Sequence, residues 1–566
     1  MERQQRWIWQ DHYDHPASWS QTFEPLTLPD MLAASTVANP NAALIDFYGR
    51  RYSYGEVQDC ARRFAHALIG LGIGKGDRVG LYLPNVPHYV AAYYGTLMAG
   101  AIVVNFSPLY TAEELAHQAE DSGTRLLVTI NAKQLFGTAQ KVLETSCIER
   151  LIVGSVASCL PPVKRMLYRL FKSGGDAVLP EGDKRILKFG DFVRAPAAQR
   201  LPPLDAEKDL ALIQYTGGTT GRPKGAMLTH QNLTANARQI NLVDPFIGES
   251  DRIMGVLPFF HVFANASVLN RTIAHGGEIV MLPRFDAKQV FAAVKRTRAT
   301  SLPGVPTMFQ AMLDHPGLKG ADLSSVRVCI SGGAPLSLAL KQQFEAATGA
   351  VVVEGYGLTE CSGVASVNPY KKDGKVGTIG QPLPGTRIKL LDRENAHKAA
   401  RPGEAGEIAI SGPQIMRGYW HNPDADKDVF VLGYLRTGDV GMIDGDGYVS
   451  VVDRIKDMIA VGGFKVFPSQ VEAVLYQHPA VREALVIGIP DTYHGEIPKA
   501  FVTLRPDVED KPDGAALMAW LNPQLGKHER VCAVEIRDSL PKTLVGKLSR
   551  KELVEEEKLK AEARET

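Results

Sequence analysis

Short apolar runs alternating with helix-length amphipathic stretches make up most of this sequence through residue 357, and few architectures accommodate that alternation. Residues 53–75 begin it: Tyr54, Val57, Ala61, Phe64, Ala65 and Leu68 recur at helical spacing. DRVGLYLPN (77–85) then reads as a strand closed by a Pro-Asn turn, a helix follows through Met98, and AIVVNF (101–106) is the next strand. The rhythm returns at RLLVTI (125–130), RLIVGS (150–155), RIMGVLP (252–258), GEIVMLP (277–283), RVCISGG (327–333) and VVVEGYG (351–357). Strands and helices in strict alternation predict parallel sheets covered by helices on both faces.

After about residue 380 the texture changes to short strands and turns: GEIAISG, GYVSVVD, ALVIGIP. A tail of about 110 residues then reads as a small α+β unit, with a helix at 468–477, strands at 484–490 and 500–505, a helix at 514–521 and a Lys-rich end. At 566 residues the chain is too long for a single core. The fold class expected is α/β: a large N-terminal domain (1–452) of helix-covered parallel sheets with a β-rich subdomain, a hinge (453–458), and a small mobile α+β C-terminal domain (459–566).

Composition excludes several function classes. With 63 basic against 62 acidic residues and a formal charge of +1, nothing resembles the basic surplus of a nucleic-acid binder. Six scattered cysteines (60, 147, 159, 329, 361, 532) lack metal-ligand spacing and fit a reducing compartment. The N-terminus carries charges throughout, unlike a secretory signal, and no uncharged apolar run approaches the roughly 20 residues of a membrane span. The richest stretch, Gly95 to Phe106, reads as a buried helix end entering a strand. A cytoplasmic protein is expected. One stretch breaks the pattern: within 156–205, PPVKRMLYRLFKSGG is basic and aromatic. It reads either as a surface excursion or as an amphipathic segment in peripheral contact with the inner face of a membrane.

The most informative segment is YTGGTTGRPKGAMLTH (215–230), which follows the apolar run LALIQ (210–214) and precedes a helix expected near Gln231. Gly217, Gly218 and Gly221 let backbone N–H groups turn inward; Thr216, Thr219 and Thr220 add hydroxyls and Lys224 a positive charge. Such a loop suits a triphosphate. It is not a Walker A loop, because Arg222 and Pro223 separate the last glycine from the lysine.

Taken with five later segments in the same order, this loop resembles the adenylate-forming enzymes, the superfamily of acyl-CoA synthetases, luciferases and peptide-synthetase adenylation domains. SGGAP (331–335) looks like the segment that packs on adenine, and EGYGLTE (354–360) like the adenine and magnesium segment. YLRTGD (434–439) resembles the ribose-binding turn, DRIKDMIAVGGFKVFPSQVE (453–472) the hinge and start of the mobile domain, and PKTLVGKLSR (541–550) the loop of the catalytic lysine.

The resemblance implies two steps. A carboxylate attacks the α-phosphorus of ATP and pyrophosphate leaves; the thiol of coenzyme A then attacks the activated carbonyl and AMP leaves. By it, Lys547 becomes the cation bridging carboxylate and α-phosphate, although alone a lysine in such a loop reads as a surface residue. Glu360 and Thr216 become the Mg²⁺ contacts. ATP contacts fall to Gly217, Gly218, Thr219, Thr220, Gly221, Lys224, Gly332, Gly333, Ala334, Pro335, Glu354, Gly355, Tyr356 and Thr359. Asp439 would accept from the ribose hydroxyls with Arg454 in support, and Lys456 matches the hinge. Gly462, Gly463 and Phe464 would admit pantetheine.

His261, amid aromatic residues in LPFFHVFAN (257–265), matches a segment lining the acyl pocket. Gly357 borders the same pocket, where two-carbon-acid enzymes of the superfamily carry Trp, so glycine is expected to leave room for a longer chain. VNFSPLYTAEEL (104–115) and LPGVPTMFQAML (302–313) are most similar to bacterial long-chain fatty-acid–CoA ligases. The expected activity is therefore ligation of a medium- to long-chain fatty acid to coenzyme A. An aryl-acid or 4-coumarate-type ligase is the alternative within the superfamily, and a silent nucleotide sensor the alternative outside catalysis. Small-molecule partners are expected, with monomer and homodimer both open. The arm before residue 25 matches no motif.

Overall fold

The computed structural model describes residues 6–171, 173–194, 200–216, 223–248, 251–371, 374–506, 508–543 and 546–565. Among them the strands form four sheets. The largest contains, in order, Gln381–Pro382, Ser366–Val367, Val351–Tyr356, Val328–Gly332, Ser301–Gly304, Arg252–Gly255, Glu278–Met281, Ala43–Phe47 and Arg50–Ser53. The strands from Val351–Tyr356 to Ala43–Phe47 are all parallel; the edges are antiparallel. A second sheet runs Gly418–Tyr419, Lys224–Thr229, Leu210–Thr216, Ile102–Phe106, Arg78–Tyr82, Leu126–Ile130, Arg150–Gly154 and Ile186–Lys188, parallel from Leu210–Thr216 onward. Each apolar run of the expected rhythm is a strand in one of these two sheets.

One continuous core joins the two sheets. The helix Pro87–Met98 is buried at every residue, which explains why it is apolar all round. Its neighbour, the amphipathic helix Tyr54–Gly70, buries all six of the residues its periodicity singled out. Ser53 starts it, accepting from Glu56 N–H while the Glu56 carboxylate reaches back to Ser53 N–H at 2.7 Å.

The third sheet, built from Arg387–Leu391, Gly406–Ser411, Tyr434–Ile443, Phe430–Val431 and Val449–Arg454, is the β-rich part. The arm before residue 25 straps onto it. Trp9, 1% exposed, packs with Ile388, Ile408 and Val449. The Tyr13 hydroxyl donates to Pro382 O, and Asp14 pairs with Lys371 and accepts from Tyr448. Gly447, at φ +80°, leaves no space for a Cβ beneath Trp9.

After the turn Ile455–Asp457 comes the fourth sheet: Phe464–Val466, Ile459–Val461, Gly495–Leu504, Val481–Asp491 and Val534–Ile536. Helices Pro468–Leu475 and Gly514–Leu521 pack on it, and the end expected to be Lys-rich is a helix, Lys551–Glu565, with six Glu against three Lys. Asp453 bridges the passage, accepting from the Arg454 and Ser469 N–H groups, both at 2.8 Å. Among the described residues no helix is long and apolar enough to cross a membrane.

Candidate active site

Three of the segments singled out above end parallel strands at their carboxyl ends, where α/β sheets present ligand sites. Thr216 closes Leu210–Thr216, Gly332 closes Val328–Gly332, and Tyr356 closes Val351–Tyr356. Ser331 pairs with Glu354 and Gly332 with Gly355 in parallel register, so SGGAP and EGYG lie side by side.

Gly217, Gly218, Thr219, Thr220 and Gly221 lie outside the described residues. Their flanks, however, form a hairpin: Thr216 is paired with Lys224 in antiparallel register. Lys224–Thr229 is a strand, where the sequence had suggested a loop running into the helix His230–Val243. The Thr216 hydroxyl points across the hairpin to Lys224 O at 3.4 Å.

Lys224 Nζ stands 5.2 Å from the centre of the Tyr419 ring, and the Tyr419 hydroxyl donates to Glu360 Oε1 at 2.7 Å. Tyr419 therefore links the lysine of the glycine loop to the carboxylate of the short turn Thr359–Cys361. It went unnoticed in the sequence because RGYW (417–420) carries no spacing signal toward Glu360. Among the described residues no group of three or more His, Cys, Asp or Glu side chains gathers as a metal cage.

Asp439 anchors a second cluster. Gly438, at φ +75°, turns the chain so that the Asp439 side chain meets two partners. The Tyr356 hydroxyl donates to Oδ2 at 2.6 Å and Arg454 Nε to Oδ1 at 3.0 Å. Arg454 is there because the ladder pairs it directly with Asp439. Lys456 follows on the turn Ile455–Asp457 and lies within the field of Arg454, Asp457, Asp439 and Glu360.

Lys547 reaches this cluster from the C-terminal residues. Its side chain lies over Gly333, at φ +80°, where a Cβ would stand 2.4 Å from Lys547 Cε. Glycine at 333 is thus favoured by its left-handed backbone, and the lysine occupies the space a Cβ would take. Burial, with the Arg454 charge adding to it, pushes the Lys547 ammonium down to about 8 against the pull of Asp439. The loop is held locally by Thr543 N–H donating to Lys547 O at 2.6 Å, and from across the cleft by Thr307.

His261 joins the same pocket. Burial and then the nearby Lys547 charge push it down to about 3, so the ring is neutral. Its Nδ1 accepts from Phe263 N–H at 3.2 Å, capping Val262–Ala264, which leaves Nε2 to carry the proton. Phe263 in turn packs against Gly332. Glu354 is half-buried on the strand Val351–Tyr356; desolvation raises its carboxyl to about 7, opposed by the Leu336 N–H from which it accepts at 3.2 Å. Ala334 and Pro335 follow Gly333, and Thr359 precedes Glu360.

Two segments behave differently from the rest. At Gly357 a Cβ would stand 2.0 Å from Gly363 O, so glycine is required there by backbone packing whatever acid is bound. Gly462 and Gly463, at φ +56° and +87°, form the tip of a hairpin whose Phe464 is 61% exposed and stacks on His528, facing solvent instead of Lys547.

The sequence matches the AMP-binding enzyme family over residues 33–420 and the AMP-binding enzyme C-terminal domain over 470–547. A long-chain-fatty-acid–CoA ligase of Bacillus subtilis (strain 168) is 39% identical over 534 residues, 94% of each chain. One of Escherichia coli O157:H7 is 35% identical over 565 residues, 97% of this chain and 98% of its own. Among solved structures, an anthranilate CoA ligase in complex with anthranoyl-AMP superposes with a TM-score of 0.83 at 28% identity, covering 96% of this chain and all of its own. By the extent of these matches, the chain belongs to the AMP-binding enzyme family.

Proposed function

We propose that the protein joins a medium- to long-chain fatty acid to coenzyme A through an acyl-adenylate, converting ATP to AMP and pyrophosphate. What supports this most is one juxtaposition: Lys547 lies against Gly333 and shares its electrostatics with Arg454 and Asp439. That is the arrangement adenylation requires, because a carboxylate and a triphosphate repel one another until a cation stands between them.

In this reading Lys547 Nζ bridges the attacking carboxylate oxygen and the α-phosphate while pyrophosphate leaves. Asp439, already oriented by Tyr356 and Arg454, accepts from the ribose hydroxyls. Gly332, Gly333, Ala334 and Pro335 face the adenine with Glu354, Gly355 and Tyr356. Thr216 and Glu360 are hard oxygen donors of the kind magnesium takes, and the Tyr419 hydroxyl fixes Glu360 in place. Bound there, magnesium would offset phosphate charge and draw its remaining ligands from phosphate and water. His261, neutral, borders the acyl side.

The second step needs the lysine gone, so that the pantetheine thiol can reach the carbonyl from the same side. Residues 453–458, with Lys456 among them, are the proposed hinge between 1–452 and 459–566. The exposed hairpin at Gly462, Gly463 and Phe464 is the surface a swing would carry into the cleft.

The names of the two bacterial relatives favour a long acid, and each buried methylene adds about 0.8 kcal/mol to such a chain's binding. The likeness to an anthranilate ligase favours an aryl acid instead. The scattered free cysteines support a reducing, cytoplasmic setting, and the basic, aromatic segment within 156–205 supports peripheral contact with the inner face of the membrane. The deciding experiment is pyrophosphate release from ATP and magnesium with acids from acetate to oleate, with and without coenzyme A, for wild type and Lys547→Ala. Turnover that needs coenzyme A, peaks on chains of medium length or longer and collapses in the variant supports the proposal. A preference for benzoate or cinnamate moves the substrate to the aryl class. No release with any acid refutes the enzyme and leaves a nucleotide sensor.

A further inference from the structure

The helix Pro162–Phe171 is mounted with its polar side inward and its apolar side outward. It meets the body of the protein through Arg165 and Tyr168, which are partly buried. Arg165 donates to Ser158 O at 3.1 Å and Leu160 O at 3.3 Å, and the Tyr168 hydroxyl to Asp176 at 2.7 Å. From the flank, Lys164 donates to Tyr48 O at 2.8 Å. Facing away are Val163, Met166, Leu167, Leu170 and Phe171, exposed by 67, 56, 45, 67 and 79%. These recur at i, i+3, i+4, i+7 and i+8, a single stripe on one face.

A helix on the surface of a globular protein turns such a stripe into the core, so the core does not explain this one. Four polar anchors hold the helix rigidly enough to present it. Charge decides what it is presented to. Lys164, Arg165 and Arg169 lie on the helix with no acidic residue, and residues 156–194 carry eight Lys or Arg against four Asp or Glu. Lys164, even while bonded to Tyr48 O, and Arg169 are exposed beside the stripe, placing positive charge where anionic headgroups would lie as the apolar neighbours enter below. Pairing this face with a second copy about a two-fold axis would set the same cations against one another, which disfavours a dimer contact.

We propose that Pro162–Phe171 seats the protein on an anionic lipid surface, lying in the plane of the interface with Val163, Met166, Leu167, Leu170 and Phe171 inserted at the headgroup–acyl boundary. This rests on the reading of peripheral membrane contact, gives it a location and a lipid chemistry, and is independent of which acid is activated.

The test is flotation of the full-length protein with vesicles of phosphatidylglycerol and phosphatidylcholine in equal parts, and of phosphatidylcholine alone. Wild type is expected to float with the anionic vesicles and about tenfold less with the neutral ones, falling further in high salt. Leu170→Glu combined with Phe171→Glu is expected to bind at least about tenfold less while keeping the circular dichroism and thermal midpoint of wild type, because both side chains are already in solvent. A second variant, Leu170→Trp, is expected to shift its emission to the blue on adding anionic vesicles. The proposal is overturned if the charged double variant floats like wild type, if wild type binds neither vesicle, or if the double variant instead splits a wild-type dimer in sedimentation. Loss of flotation with ligase turnover intact sinks the docking surface alone; flotation without turnover sinks the ligase alone.

Discussion

The hydroxyl of Thr307 donates to the carbonyl of Gly546 at 2.9 Å, so the residue immediately before Lys547 is held by the first turn of the helix Pro306–Leu313, 239 positions earlier in the chain. The far end of that helix makes a second contact across the cleft, where Asp314 meets Arg482 at 2.5 Å. One helix of the large sheet thus touches the C-terminal residues at both of its ends.

Thr307→Val removes a hydrogen bond that, on the proposed swing, is made only while Lys547 is in the site. Such a bond contributes about 1 kcal/mol, or roughly a fivefold change in rate. Acid-dependent pyrophosphate exchange is expected to slow about fivefold, with no change in thioester formation from preformed acyl-adenylate and coenzyme A. Equal slowing of both steps would show that Thr307 serves the fold and not the lysine.

The ammonium of Lys547 is charged below about 8 in the free protein and loses its proton as the pH rises through that value. In the proposed role it is the charged form that bridges carboxylate and α-phosphate. The kcat/KM for ATP is therefore expected to fall along a limb centred near pH 8, and Lys547→Arg to abolish that limb, because a guanidinium stays charged throughout. A pH profile identical in the two proteins would remove Lys547 from the role.

Tyr419→Phe deletes the hydroxyl on Glu360 but keeps the ring under Lys224. A hydrogen bond to a charged group is worth about 1.5–3 kcal/mol. The magnesium concentration giving half-maximal activity is expected to rise about tenfold, with the thermal midpoint little altered. An unchanged magnesium titration would mean that Tyr419 does not orient the carboxylate.

Trp9→Ala empties a site that is 1% exposed at the centre of the third sheet's core. A loss of about 3–5 kcal/mol in unfolding free energy is expected from denaturant titration. Because Tyr356 and Leu358 lean on the same cluster, ATP binding should weaken with it. A loss under about 1 kcal/mol would show that the arm is dispensable.

How much of this was legible depended on whether the signal was local. Apolar strands of a parallel sheet announce themselves, and so does the helix Tyr54–Gly70, whose buried face repeats at helical spacing. The central strand Ser301–Gly304 carries no strand signal of its own. It reads SLPG, with a proline and a glycine among four residues, and is a strand only because parallel neighbours flank it. Lys224–Thr229 was hidden by the glycine loop beside it, which made the whole segment look like a turn. The site divided the same way. Asp439 and Lys547 were visible in their motifs, whereas Tyr419 and Thr307 act on partners 59 and 239 residues away, a distance across which residue type alone carries nothing. Gly357 taught the opposite lesson: its residue type suggested a pocket, and its backbone supplies a reason of its own.

The strap formed by the N-terminal arm bears on how the molecule is made. Asp14 and Tyr448, bonded in the finished protein, are 434 residues apart. During synthesis the arm is therefore made long before the residues it binds, and Trp7, Trp9 and Trp19 must wait in water until the third sheet has been translated and folded. Closing so long a loop is slow, and three unburied indoles are sticky meanwhile. Chains cut short before the third sheet keep that arm exposed, so they should aggregate through its tryptophans.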